Sequence, residues 1–132
     1  MKESIRHEKV EHAYVIQRDG TVLHGAGDSS SVSIDGADLD GATVLHNHPT
    51  EPGEHIAPGS DDYNTLVEFP SLRILAVDEL YDYDLSTTGK PLVSYNVAYR
   101  NGLYATGDED QQHNIMEWLA RNGYVNYSRK RI

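Results

Sequence analysis

The chain has 132 residues, a length typical of one domain, and 38% of them are hydrophobic, which is enough for a modest core. Its formal net charge of −10 disfavours nucleic acids and anionic membrane surfaces as partners, because binding to either needs a basic face. The absence of cysteine excludes disulfides and thiolate metal sites, so a transition metal must be held by histidine and carboxylate. No apolar segment approaches the roughly 20 residues of a membrane span and no signal-peptide core is visible, so we expect a cytoplasmic protein.

The apolar and alternating segments predict a series of short strands. These strands are expected at residues 13–16, 21–23, 31–34, 42–45, 72–77, 92–99 and 103–105, and residues 80–85 are expected to form another strand or a loop. The pairs Asp19-Gly20 and Asn101-Gly102 predict hairpin turns between neighbouring strands. The segment 72–77 is almost continuously apolar and predicts a central strand.

Two helices are predicted, at residues 60–69 and 108–122, and residues 1–9 are compatible with a short helix or a loose arm. The expected caps and stops of the two helices are Ser60, Pro70, Asp108 and Gly123. The second helix is expected to bury the stripe Ile115, Met116, Leu119 and Ala120. The basic residues 129–131 are expected to form a frayed tail.

The most informative stretch places two histidines one residue apart at the end of an apolar strand. Residues i and i+2 of a strand face the same side, so His46 and His48 can direct two imidazoles at one point. Asp61 and Asp62 offer a carboxylate at the predicted start of a helix, where acidic residues also suit the helix dipole. Two histidines and one carboxylate, with a fourth position open, are typical of a catalytic zinc site.

Hydrolysis at such a site also needs a carboxylate that takes and returns a proton. Glu11 is the first choice because it immediately precedes a predicted strand, and Glu8 is the second. Either one is equally compatible with an ordinary exposed residue. Glu54 and His55 are further ligand candidates in the loop before the helix. The other histidines carry no spacing signal, and these are His7, His12, His24 and His113.

These residues resemble a known family. A glutamate before a strand, the His-Asn-His-Pro motif at 46–49, a loop, and an aspartate at a helix start are similar to the JAMM/MPN (JAB) superfamily of zinc metalloproteases. The similarity is greatest to the RadC-like branch and to domains of phage head and minor-capsid proteins, and it covers about residues 8–85. We expect residues 91–132 to be an unrecognised extension of the same single domain, 1–132.

The resemblance implies a cytidine-deaminase-like α+β fold, the JAB/MPN fold, in which helices flank a central mixed β-sheet. It implies that His46, His48 and Asp62 bind one Zn²⁺ ion with water as the fourth ligand, and that Glu11 is the general base and acid. The implied enzyme is a JAMM-type metallopeptidase. It would cleave a peptide or isopeptide bond of a protein or peptide substrate through a zinc-activated water.

One position departs from the family pattern. The family serine, which helps to stabilise the oxyanion, lies three residues before the aspartate, and this chain has Gly59 there. Ser60 is the expected replacement, and loss of such a donor typically slows a reaction roughly 100- to 1,000-fold. The departure favours an alternative hypothesis, a catalytically silent zinc-binding module that serves assembly or protein interaction, for example in a phage particle. A deaminase is a third hypothesis, but no cysteine ligand supports it.

Overall fold

The computed structural model of the protein describes residues 2–27, 38–51, 53–106 and 110–132, with the backbone alone for residues 103–106. The strands are β1 His12–Ile16, β2 Val22–Ala26, β3 Thr43–Asn47, β4 Arg73–Val77, β5 Tyr81–Thr87 and β6 Val125–Arg131. The helices are α1 Lys2–Ile5, α2 Ser60–Glu68, α3 Tyr95–Thr106 and α4 Gln111–Arg121. None of the helices in this part of the chain has the length and apolar character needed to cross a membrane.

The six strands form one mixed sheet with the order β2-β1-β3-β4-β5-β6. β3 and β4 are parallel, and every other neighbouring pair is antiparallel. The parallel pair lies at the centre of the sheet, where α2 makes the crossover connection that parallel strands require. The predicted α+β class, a mixed sheet flanked by helices, is confirmed.

The two faces of the sheet are covered unequally. The main core lies between one face and helices α2, α3 and α4, and its buried side chains are Val15, Ala42, Tyr63, Leu66, Leu72, Ile74, Leu85, Ala98, Ile115, Met116, Leu119 and Val125. A smaller cluster of Ile5, Leu45 and Val77 lies on the opposite face, next to α1. Because side chains alternate along a strand, His46 faces α2 whereas Asn47 faces the side of α1.

Asn47 is fully buried and ties β3 to the segment that precedes β1. Its Oδ1 accepts a hydrogen bond from the backbone N–H of His12 at 2.6 Å. Its Nδ2 donates to the carbonyl of Val10 at 3.0 Å and more weakly to that of Glu8 at 3.4 Å. One carboxamide thus bonds to backbone groups at the start of β1 and in the segment before it, and it fixes how the chain enters β1.

Most of the predicted elements are confirmed. Helix α2 and strands β1 to β5 lie where the sequence predicts a helix and strands, and β4 is central. α4 ends before Gly123, which has a φ of 78°, and its buried face includes Ile115, Met116 and Leu119, while Ala120 is partly buried. The predicted edge strand at 31–34 and the predicted cap Asp108 lie outside the described residues.

The strands predicted at residues 92–99 and 103–105, and the turn at 101–102, are wrong, because this segment forms α3. Alternating aliphatic and aromatic residues suit a strand locally, but packing against α4 decides the outcome. Gly102 lies at that contact, since a Cβ added to it would be 2.8 Å from the Cα of Ile115. The glycine therefore permits close approach of two helices rather than a hairpin turn.

Two smaller predictions are also wrong. Ser60 is the first residue of α2 rather than its N-cap, a position that Gly59 occupies with an extended backbone and no side-chain hydrogen bond. The basic residues 129–131 are not a frayed tail, because they belong to β6 and pair with β5. Their register places Arg129 opposite Tyr83.

We predict that Asn47→Ala lowers the free energy of unfolding by about 2–3 kcal/mol, because buried backbone groups at His12 and Val10 lose their partner. Urea denaturation measures the change. Asn101→Ala is the matched control, since Asn101 is exposed and its side chain bonds within its own helix to the carbonyl of Val97. Equal stability of the Asn47 variant and the wild type would contradict the anchoring role.

Candidate metal centre

The two histidines meet at the carboxyl end of β3. His46 is within the strand, and His48 lies just beyond its end. The backbone N–H of His48 donates to the carbonyl of Val77 at 2.8 Å, which continues the pairing with β4. Both imidazoles therefore stay on the same side of the sheet, with ring centroids 4.7 Å apart.

Helix α2 brings Asp62 against both rings. Its Oδ1 lies 3.0 Å from Nε2 of His46, and its Oδ2 lies 3.3 Å from Nε2 of His48. One ligand atom from each of these three residues lies within 4.8 Å of the other two. Asp61 is exposed and stays outside this group. The structure thus assembles the three residues expected to bind zinc.

Each imidazole is held through its other nitrogen. Nδ1 of His46 lies 3.1 Å from Oε1 of Glu11, and Nδ1 of His48 donates to the carbonyl of Ile56 at 2.7 Å. A proton on Nδ1 leaves the lone pair of Nε2 for a metal ion, the arrangement that usually orients histidine ligands. Nε2 of His46 is buried, and although Oδ1 of Asp62 lies 3.0 Å away, it makes no well-formed hydrogen bond within the described part of the chain. An ion bound there would satisfy it.

The electrostatics of the group favour a positive charge beside Asp62. Burial lowers the pKa of His46, but the charges and contacts of Asp62 and Glu11 outweigh burial and raise this pKa well above its usual value. Burial raises the pKa of Asp62, but the two neighbouring histidines outweigh it and hold this pKa far below the usual range. A divalent cation can take the place of the imidazole protons, because metal ligands bind in their deprotonated forms.

Glu11 lies beside the three candidate ligands. Ala13 pairs with His46 across β1 and β3, so Glu11, two residues before Ala13, faces the same side of the sheet. Its side chain is 12% exposed. Glu8, the second choice for a base, is exposed and contacts Asn47 through its backbone carbonyl. The structure therefore places the first choice at the site.

An open cavity of about 300 Å³ leads to this group, and its wall includes Glu11, His46, His48, Ser60, Asp62 and Gln112. A water molecule has a share of about 30 Å³ in the liquid, so the cavity has room for water and for part of a substrate. Ser60 thus lies at the cavity, as expected, although it does not cap the helix.

The loop candidates for additional ligands lie elsewhere. His55 bonds to Asp110 and packs edge-on against Tyr81, and Glu54 is exposed. The histidines without a spacing signal also have other contacts, namely His7 with Glu79, His12 with His24, and His113 with Tyr127. Within the described residues, the group of His46, His48 and Asp62 is the one that brings three potential ligands together.

A buried aspartate, which the sequence analysis did not identify, holds the loop that contacts His48. Asp78 follows β4, and its Oδ2 accepts hydrogen bonds from the backbone N–H of Ile56 at 2.8 Å and the hydroxyl of Tyr83 at 2.6 Å. Ile56 in turn presents its carbonyl to His48. Asp78 could have been found from the sequence, because it is an acidic residue directly after a central apolar strand. Gln112 was also missed, and no pattern near it in the sequence indicates a role at the site.

Comparisons with known proteins identify no relative of the chain. No family model matches it, and no curated protein or solved structure is significantly similar. The resemblance to the JAMM/MPN superfamily therefore rests on the motif residues alone.

We predict one zinc ion per chain and its loss when His46 and His48 are both replaced by Ala, because two of three ligands disappear. Elemental analysis of the purified protein measures the stoichiometry. The matched control replaces His12 and His24, a stacked pair on β1 and β2 outside the candidate site, with Ala and retains the zinc. Full zinc content after removal of His46 and His48 would place the metal elsewhere.

The two neighbouring aspartates give a second prediction. Asp62→Ala weakens zinc binding by more than about 100-fold, because even a residue that only orients a ligand is typically worth about 10- to 100-fold. Asp61→Ala changes the affinity little, since Asp61 lies outside the ligand group. Competitive zinc titration of both variants gives the ranking, and the reverse order would overturn the assignment.

Proposed function

We propose that the chain is a zinc-dependent hydrolase of the JAMM type that cleaves a peptide or isopeptide bond. The observation that carries this proposal is the placement of Glu11 beside His46, His48 and Asp62 in one open cavity. A metal site that serves only structure is usually closed by four protein ligands and needs no adjoining carboxylate.

Two imidazoles and one carboxylate suit zinc, and the buried Nε2 of His46, which lies beside the Asp62 carboxylate without a well-formed hydrogen bond, fits an ion at this position. Zinc, when bound there, supplies a Lewis acid that polarises a carbonyl and makes water nucleophilic near neutral pH. His46, His48 and Asp62 would hold it. The orientation of the two imidazoles is set by Glu11 and by the carbonyl of Ile56.

Glu11 is suited to move the proton. Its Oε1 contacts Nδ1 of His46, so its other oxygen is left to accept a proton from the attacking water. The new carbon–oxygen bond forms at the amide carbonyl as Glu11 takes that proton. The carbon–nitrogen bond breaks as Glu11 returns the proton to the nitrogen, which leaves an amine and a carboxylic acid. The acid then gives its remaining proton to the amine or to solvent.

The architecture is compatible with the proposed JAB/MPN fold. Its central parallel pair, β3 and β4, presents the His-Asn-His motif at a carboxyl end, and the crossover helix α2 carries the aspartate. The proposed substrate is a protein or peptide, and the proposed location is cytoplasmic. The acidic chain gives no basic surface for nucleic acid.

The competing proposal is a zinc-binding module without activity, and Gly59 in the family's serine position favours it. Such a module has no need for a carboxylate beside the candidate ligands. The silent module predicts that Glu11 points away from the site or that a protein side chain fills the open ligand position. The contact of Glu11 with His46 supports the hydrolase instead.

We predict that Glu11→Gln abolishes cleavage, with a loss of about 100- to 10,000-fold in kcat, and leaves zinc bound. The glutamine carbonyl can still accept a hydrogen bond from Nδ1 of His46, but the amide cannot take the proton of water. The assay measures chelator-sensitive cleavage of ubiquitin-like fusions, peptides and peptidoglycan fragments. Zinc content is measured in parallel.

The control is Glu8→Gln, which retains activity because Glu8 is exposed and its side chain does not line the cavity. Unchanged cleavage by the Glu11 variant would assign the base to another group. A zinc-loaded wild type that cleaves none of these substrates would favour the silent module.

A further inference from the structure

The carboxamide of Gln112 occupies the space that a side chain at position 59 would fill. A Cβ added to Gly59 would lie 2.5 Å from Oε1 and 3.0 Å from Cδ of Gln112, closer than such atoms can approach. Gln112 is in the first turn of α4, far along the chain from the ligand motif. Gly59 and Gln112 therefore form a matched pair, in which the absence of one side chain admits the other.

The carboxamide is held in a defined orientation. Its Nε2 donates to the carbonyl of Ala57 at 2.7 Å, which distinguishes the amide nitrogen from the amide oxygen. The nitrogen carries a second N–H that this bond does not use. Gln112 is also partly buried and lines the same cavity as Glu11 and the candidate metal ligands.

Neutral hydrogen-bond donors are scarce on the side chains of this cavity. Its carboxylates, Glu11, Asp61 and Asp62, accept hydrogen bonds and repel a developing negative charge, and its two histidines are committed to the candidate metal site. Ser60 and Gln112 are the remaining polar side chains of the wall. Ser60 is exposed at the rim, whereas Gln112 is anchored by Ala57.

We propose that Gln112 is a catalytic residue that donates a hydrogen bond from Nε2 to the oxyanion formed on the substrate carbonyl. This inference rests on the proposed hydrolase function and adds the donor that the reaction needs. No proton leaves Gln112, which stabilises charge without exchanging atoms. Gly59 is required because any side chain there displaces the carboxamide.

The first test uses the metal-free protein and NMR of the glutamine side-chain amide. In Gly59→Ala, the Gln112 NH₂ resonances are expected to shift toward those of a solvent-exposed glutamine, because the new methyl group forces the carboxamide from Ala57. Gln111→Ala, one residue earlier on α4 and outside the cavity wall, should leave them in place. Unshifted Gln112 resonances in Gly59→Ala would overturn the steric pairing.

The second test replaces zinc with Co²⁺ and follows its visible absorption as methylphosphonate, a tetrahedral oxyanion, is added. Gln112→Ala is expected to weaken methylphosphonate binding about 10-fold or more, since a hydrogen bond to a charged group is lost. Gly59→Ala should have a similar effect, and the double variant should be no weaker than either single variant. Gln111→Ala should bind as the wild type does.

The outcomes separate this inference from the proposed function. A wild type that binds no Co²⁺ would overturn both. A Co²⁺-loaded wild type that binds no methylphosphonate would overturn the inference about Gln112, as would wild-type affinity in Gln112→Ala or additive effects in the double variant. Cleavage that depends on Glu11 would then still support the hydrolase.

Discussion

The site depends on the hydrogen bonds of Asn47, the residue between the two histidines. His46 and His48 face α2, whereas Asn47 faces the other side of the sheet. There it forms hydrogen bonds with the backbone of His12 and Val10. Because side chains alternate along a strand, neighbouring residues of this segment lie on opposite faces of the sheet and have different roles. The imidazoles point to the cavity, and the carboxamide fixes the segment that delivers Glu11.

Asp78 has a comparable role for His48, because it holds the loop whose carbonyl contacts that ring. Its carboxylate gathers the backbone of Ile56 and the hydroxyl of Tyr83, and burial followed by this hydrogen bond raises the pKa of Tyr83, which keeps the hydroxyl protonated. The loop before α2 is therefore bound to the end of β4. A buried polar network of this kind is stable only when all its members are paired, so it also makes the position of the His48 ring well defined.

Sequence reasoning predicted that His46, His48 and Asp62 come together because the geometry of the two histidines is local. The period of two in a strand predicts that His46 and His48 converge, and a helix after the loop brings a carboxylate to the same end of the sheet. Residues that arrive through tertiary packing left no such signal. Gln112 reaches the cavity only because α4 packs beside α3, and α3 was itself mistaken for strands at residues 92–99 and 103–105.

The same limit explains the error at Gly102. An Asn-Gly pair between alternating residues is the usual sign of a hairpin, and nothing nearby in the sequence reveals a helix that needs close approach. Glycine is needed at position 102 because the backbone of α4 at Ile115 packs closely against it. Local patterns therefore predicted the four neighbouring strands β1 to β4 better than the helices packed on the sheet.

The residues of the cavity come from two distant parts of the sequence, and this separation affects the order in which they are synthesised. Glu11 and the three candidate metal ligands lie within residues 11–62, whereas Gln112 is synthesised only after β5 and α3. A nascent chain thus has the candidate ligands well before it has the carboxamide, which reaches the cavity through contacts of long sequence separation. A chain interrupted before α4 would lack the Gln112 carboxamide, so the complete cavity is a feature that this protein acquires late in biosynthesis.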